Sequence, residues 1–193
     1  MHSLKVVLVG DTKVGKSCIL SRFVQGTFDR NMPATIGAAF LTKVIQTNEN
    51  GNVRLQLWDT AGQEKFRSLA PMYYRSAAVA VLVYDITNRQ SLDDLEDWAA
   101  EIADKAPHSI KLVVIGNKTD LPEERQVTEE EGQELANQLG AVVYGETSAK
   151  TGDGINKIFK DVAELNVMQD DIIEKNTSKV QPKAKNEDEG CKC

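Results

Sequence analysis

The sequence predicts an α/β domain: a six-stranded, mostly parallel sheet with helices on both faces. Two observations lead there. Short runs rich in Val, Ile and Leu alternate with amphipathic stretches of helical spacing along most of the chain, the pattern of strands linked by crossover helices. The stretches that carry polar chemistry also begin where the apolar runs end, and the carboxyl ends of strands are where open α/β sheets collect ligands.

Leu4–Val9 is an apolar run broken only by Lys5, which reads as a buried strand, and Lys16–Val24 follows as a helix. Phe40–Thr47 and Val53–Asp59 read as a hairpin around Asn48-Glu49-Asn50-Gly51-Asn52, whose Asn-Gly content suits a turn. Val79–Tyr84, Leu112–Ile115 and Val142–Tyr144 complete the strands. Helical spacing runs through Leu92–Ile102, Glu129–Leu139 and Ile155–Asn166, with Thr128 and either Asp153 or Gly154 as starts. The pattern stops near Val167, giving a domain over 1–167 and a tail over 168–193. Almost no large apolar group follows Ile173, so the tail cannot bury enough surface to offset its ordering entropy and is expected to be flexible.

Of the 193 residues, 41% are hydrophobic, enough for a packed core, and the formal charge of −6 disfavours nucleic acid as the partner. No apolar run approaches the ~18 residues of a membrane-spanning helix. The three cysteines, Cys18, Cys191 and Cys193, make no disulfide framework. With only His2 and His108, histidine triads and paired-histidine zinc sites have little to work with, so the chemistry falls to oxygens, backbone amides and a lysine.

Gly10-Asp11-Thr12-Lys13-Val14-Gly15-Lys16-Ser17 matches the phosphate-binding pattern G-x-x-x-x-G-K-[ST] between a strand and a helix, which identifies a P-loop nucleotide-binding fold. Backbone N–H groups from Thr12 to Cys18 are expected to face the β- and γ-phosphates, with Lys16 as a point charge and Ser17 offering its hydroxyl to Mg²⁺. Asp59, in Trp58-Asp59-Thr60-Ala61-Gly62-Gln63-Glu64, ends a strand where such a metal needs a carboxylate, held directly or through water. Gly62 admits close approach of a backbone N–H to a γ-phosphate, and Gln63 can orient the attacking water. In Asn117-Lys118-Thr119-Asp120 the Asp120 carboxylate can accept from guanine N1–H and the 2-amino group together, whereas adenine presents a bare acceptor there. The stem of Lys118 would cover the ring. Ser148-Ala149-Lys150 supplies a backbone N–H, near Ala149, for guanine O6. The nucleotide is GTP, cycling with GDP.

The set GDTKVGKS, Thr35-Ile36-Gly37, WDTAGQE, NKTD and ETSAK resembles the Ras superfamily of small GTPases over residues 4 to about 167. Phe40, Trp58, Met72-Tyr73-Tyr74-Arg75 and the ending Cys-Lys-Cys narrow the resemblance to the Rab family, and TIGAAF with SLAPMYYR to its early-endosomal, Rab-five-like branch. The resemblance implies a G-domain fold and a switch in vesicle trafficking. It makes Thr35 the switch threonine that binds Mg²⁺ and γ-phosphate only in the GTP state, and puts Phe28 on the guanine edge. Asp29 and Arg30 lie near the ribose on the family's pattern, while a solvated loop is the alternative. The family also suggests that Phe40, Trp58 and Tyr73 form an apolar surface read by effectors; for Trp58 composition alone favours ordinary core packing.

No arginine is set by a motif to neutralise γ-phosphate charge, so hydrolysis is expected to be slow without an activating protein, with Arg30 in cis as the alternative. A scaffold that binds GTP and hardly hydrolyses it is the rival reading, and a P-loop ATPase or nucleotide kinase a further one. Thr12 and Lys13 depart from the smaller residues common in this loop, which bears on rate rather than binding. Family likeness carries geranylgeranyl groups to Cys191 and Cys193; a free-thiol tail or a C-x-C metal clip is the alternative. From Asn166 onward there are five basic and six acidic side chains and no polybasic patch, so stable anchoring would take both lipids. The implied partners are an exchange factor, an activating protein, a GDP dissociation inhibitor, a prenylation escort protein and GTP-dependent effectors. The implied setting is the cytoplasmic face of early endosomes, with a chaperone-bound cytosolic pool.

Overall fold

A computed structural model describes residues 2–48, 50–62 and 70–165. Six strands form one sheet: β1 (His2–Val9), β2 (Ala38–Gln46), β3 (Asn52–Thr60), β4 (Val79–Asp85), β5 (Lys111–Asn117) and β6 (Val143–Thr147), in the order β2-β3-β1-β4-β5-β6. Only β2 runs antiparallel, joined to β3 by the expected hairpin, in which Thr47 N–H donates to Gly51 O at 2.8 Å. The central strand β4 is apolar almost throughout because both of its faces are covered. Along β1, Leu4, Val6 and Leu8 point to one face while Val7 and Val9 point to the other.

On the first face lie α1 (Lys16–Gln25) and α6 (Ile155–Glu164), joined through Phe23 and Phe159, whose rings stack at 4.1 Å. The second face is covered by α3 (Arg89–Asp93), α4 (Leu95–Lys105) and α5 (Glu129–Gln138), through Leu92, Leu95, Trp98, Ile102 and Ala136. A short α2 (Ala70–Tyr74) precedes β4 and sends Tyr74 into that same core.

The helix predicted over Leu92–Ile102 begins earlier and is divided. Asn88 caps it, accepting from Gln90 N–H at 3.1 Å, and Asp94 separates α3 from α4. Apolar periodicity misses that start because the first turn, Arg89-Gln90-Ser91, is polar. Thr128 is the predicted start of α5 and forms a complete capping box with Glu131. Of the two candidate starts for α6, Gly154 is the cap, with φ 73°. The domain boundary at 167 and the tail lie outside the described residues. Among the described residues no helix is long and apolar enough to cross a membrane.

Two left-handed glycines separate backbone strain from crowding. A Cβ on Gly154 would stand 2.1 Å from Glu146 O, whereas one on Gly140, at φ 72°, would meet nothing within 4 Å. Gly140→Ala should lose only the left-handed penalty of about 1 kcal/mol. Gly154→Ala should lose about 2–4 kcal/mol, because it adds a clash with fixed backbone. Urea unfolding of the two variants checks this, and equal losses would contradict the close approach of α6 to β6.

Candidate functional site

A cavity of about 560 Å³ opens at the carboxyl end of the sheet, between the loop before α1, the 26–37 loop and the loops after β5 and β6. One end is built by the P-loop. Lys16 is 6% exposed, and its ammonium donates to Gly10 O at 2.6 Å and Asp11 O at 2.7 Å. Burial lowers its pKa to about 8, against the opposing pull of Asp59 and Asp11. Lys13 adopts φ 70°, a conformation that glycine takes without cost, which is the physical reason a smaller residue is common there. Thr12 is exposed on the cavity wall.

Beside Lys16 three oxygens converge. Ser17 Oγ lies 2.7 Å from Thr35 Oγ1 and donates to Asp59 Oδ2 at 2.5 Å, and Thr35 Oγ1 donates to the same oxygen at 3.0 Å. Asp59 Oδ1 is buried with no hydrogen-bond partner among the described residues, and burial raises the pKa of this carboxyl. Two hydroxyls and a desolvated carboxylate with a spare oxygen form a hard-oxygen donor set that suits Mg²⁺. The residues therefore fit the ion that the P-loop implies. Gly62 presses on the P-loop: a Cβ there would come within 2.5 Å of Thr12 N and Asp11 C, so only glycine permits the approach. Gln63 lies outside the described residues.

At the other end, Asn117 is 1% exposed and ties three segments together. Its Nδ2 donates to Val14 O at 2.9 Å, and its Oδ1 accepts from Thr147 Oγ1 at 3.1 Å and Ala149 N–H at 3.2 Å. Asp120 Oδ1 accepts from Ser148 Oγ at 2.7 Å, while Lys150 Nζ stands 3.8 Å from Oδ2. Lys118, at φ 78°, pairs its ammonium with Asp85 Oδ2 at 2.5 Å, which fixes the direction of its stem along the cavity wall.

Most of the residues singled out in the sequence are brought to this one cavity. Thr12, Lys13, Gly15, Lys16, Ser17 and Cys18 line it from the P-loop side, Phe28, Asp29, Arg30 and Thr35 from the following loop, and Gly62 from beyond β3. Asn117, Lys118, Asp120, Ala149 and Lys150 complete the far end. Val14 and Ser148 lie behind the wall, at 2% and 0% exposed, and act through the bonds just described. The Ala149 N–H predicted for guanine O6 is directed at Asn117 Oδ1 by a long bond, while the neighbouring Lys150 N–H has no partner among the described residues. Asp29 Oδ1 accepts from Asn31 N–H at 2.8 Å, closing a local turn.

Sequence reasoning missed several participants. Met32, Pro33, Ala34, Thr60 and Leu121 also line the cavity. Asp85, which anchors Lys118, ends β4, so a search of strand ends for carboxylates would have found it. Arg22 donates to Ala149 O and Lys150 O, and no local pattern announces a contact across 127 residues.

Next to the site lies an apolar surface. Ile36 is 83% exposed, Met72 69% and Phe40 51%. Phe40 packs on Trp58 at 5.1 Å, and Trp58 on Tyr73 at 5.9 Å. Trp58 packs partly against the second core, as composition alone suggests, and is half-buried between Phe40 and Tyr73.

A Ras family model matches residues 5–167. Ras-related protein Rab-31 of Homo sapiens is 47% identical over 163 residues, 84% of this chain and 83% of its own length. Ras-related protein Rab-22A of Homo sapiens is 45% identical over the same share of both chains. The GTP-binding protein ypt5 of Schizosaccharomyces pombe is 44% identical over 168 residues, 87% of this chain and 80% of its own.

The Asn117 clamp gives the site its own test. Asn117→Ala leaves Val14 O unpaired in the interior and removes the acceptor of Ala149 N–H. Stability of the protein should fall by about 2–4 kcal/mol, at roughly 1–3 kcal/mol per orphaned group. Urea unfolding without added ligand measures it, and a loss below about 1 kcal/mol would argue against the clamp.

Proposed function

The chain belongs to the Ras family of small GTPases, within the Rab branch, and from that premise we propose that it is a GTP/GDP switch in vesicle trafficking on endocytic membranes. The observation that carries the proposal is the meeting of Ser17, Thr35 and Asp59 beside the buried Lys16, because Thr35 comes from a loop with no regular structure of its own.

Mg²⁺ bound there would neutralise charge shared by the β- and γ-phosphates. Lys16 holds the phosphates as a buried charge. Thr35 and the Gly62 N–H each gain a partner that GDP does not supply, so two loops are held only while the γ-phosphate remains. Switching from 1:99 to 99:1 needs about 5.5 kcal/mol of differential interaction. Two charge-assisted hydrogen bonds at about 1.5–3 kcal/mol each, with a metal contact, are of that order. Gln63 orients the water whose oxygen attacks phosphorus as the bond to the β-phosphate oxygen breaks. With no motif-set arginine at the γ-phosphate, turnover is slow until an activating protein supplies one.

At the far end Asp120 reads guanine N1–H and the 2-amino group, and the Lys150 N–H, beside the Ala149 N–H that Asn117 engages, meets O6. The exposed Ile36, Phe40 and Met72 give effectors an apolar surface bordering both loops. Exchange factor, activating protein, GDP dissociation inhibitor and escort protein complete the cycle, and lipids on Cys191 and Cys193 hold the domain, read as 1–167, to the membrane through its tail.

Competition of GTP and ATP for the purified protein tests the reading directly, since equal affinities would end it. Asp120→Asn should turn preference toward xanthosine nucleotides, whose 2-oxo group accepts from the new amide; undiminished GTP affinity in that variant would remove Asp120 from base reading. Gln63→Leu should slow hydrolysis stimulated by an activating protein by tenfold or more, as about 1.4 kcal/mol of lost transition-state stabilisation would do. Its affinity for GTP should stay unchanged, and equal single-turnover rates in the two proteins would exclude the role.

A further inference from the structure

Arg22 sits in the last turn of α1, the helix whose first residues are Lys16 and Ser17, yet most of its hydrogen bonds leave that helix. Its Nε donates to Ala149 O at 2.9 Å and its Nη2 to Lys150 O at 2.6 Å, while Nη1 donates to Gly26 O at 2.8 Å. The third bond is ordinary helix-end chemistry, a cation meeting the carbonyls left over at a C-terminus. The first two are not: they fix both carbonyls of Ala149 and Lys150 by a planar fork that lysine cannot reproduce. Fixing those carbonyls sets the planes of the adjoining peptide bonds. The Ala149 carbonyl shares its peptide with the Lys150 N–H, so Arg22 sets the direction of one N–H that a 6-oxo group would meet.

We propose that Arg22 is a positioning residue for base recognition, aiming the Lys150 N–H and tying it mechanically to the phosphate-binding helix. The inference rests on the guanine reading of the site and deepens it. Lys16 and Arg22 are six residues apart on one helix, about 9 Å of rigid rod, so phosphate end and base end move together. The Asn117 clamp adds a second tie between the same two ends, through Val14 O and Ala149 N–H. Arg125 holds the base loops differently: its bidentate pair with Glu146, at 2.7 and 2.8 Å, joins the segment after β5 to β6 and touches nothing on α1.

The test measures release of GDP and of 2,6-diaminopurine riboside diphosphate, which keeps the 2-amino group but carries a 6-amino donor in place of O6. Full-length wild type, Arg22→Lys and Arg22→Ala are compared. Arg22→Ala should release GDP about tenfold faster, at roughly 1.4 kcal/mol for charge-assisted bonds at a partly exposed site. Preference for GDP over the 6-amino analogue should narrow at least threefold. Arg22→Lys, which keeps the charge and the stem, should fold normally and still show the narrowed preference. Unchanged release, or faster release of both nucleotides with the preference intact, would overturn the inference, the second outcome leaving Arg22 a simple brace. A wild-type protein with no preference for GDP over ADP would instead sink the guanine reading itself, and this inference with it.

Discussion

Lys16 carries its ammonium into the protein with two backbone carbonyls, not a carboxylate, in hydrogen-bond contact. A buried cation so held is costly, and its lowered pKa records that cost. Nearby, Asp59 is a buried anion with one oxygen left over, its pKa raised for the same reason. Among the described residues Lys16 is held by carbonyls alone, and Asp59 Oδ1 has no hydrogen-bond partner. Together they call for a ligand that is negative toward the lysine and brings a cation toward the aspartate, which describes a metal-bound polyphosphate. The rest of the fold can be understood as holding these two groups apart at a fixed distance. Strands β1 and β3 are parallel neighbours with Leu8 opposite Asp59, and the P-loop leaves the end of the first just where the aspartate ends the second.

The two ends of the cavity are built to different degrees of rigidity. At the base end nearly every polar group is tied to another: Asn117 to three segments, Lys118 to Asp85, Ser148 to Asp120, Arg22 and Arg125 to the surrounding backbone. At the phosphate end Thr35 arrives on a stretch without helix or strand, and among the described residues its hydroxyl is held by Ser17 and Asp59 alone. Elements meant to move are drawn from the less stable parts of a structure. A site that must grip one base constantly, and yet report the loss of one phosphoryl group, needs that asymmetry.

Much of this was legible in the sequence because its motifs are short and local. A glycine-rich loop, a strand-end aspartate and an Asn-Lys-x-Asp segment each encode their geometry within a few residues, and the sheet's parallel order then brings them together. The capping box at Thr128 was readable for the same reason. What escaped was set by long-range packing. The start of α3 hid behind a polar first turn, Asp85 belongs to none of the motifs, and Arg22 reaches a loop 127 residues away. The direction of the Ala149 N–H also depends on Asn117, which the sequence shows only as the first residue of the Asn-Lys-x-Asp segment.

The apolar surface follows from the same geometry. Ile36 is the residue after Thr35, so one peptide separates a group that binds the site from a side chain left 83% exposed. Gly37 O, one residue further, accepts from Ala61 N–H at 2.9 Å, which ties this stretch to the segment entering Gly62. The two segments that would contact a γ-phosphate are thus hydrogen-bonded to each other, and Phe40 and Trp58, paired across β2 and β3, continue the surface from them. Releasing Thr35 would loosen Ile36 directly and Gly62 through that one bond, while β2 and β3 stay paired. A partner that buried Ile36 together with Phe40 would therefore bind one state better than the other, and by linkage it would favour the nucleotide that keeps Thr35 in place.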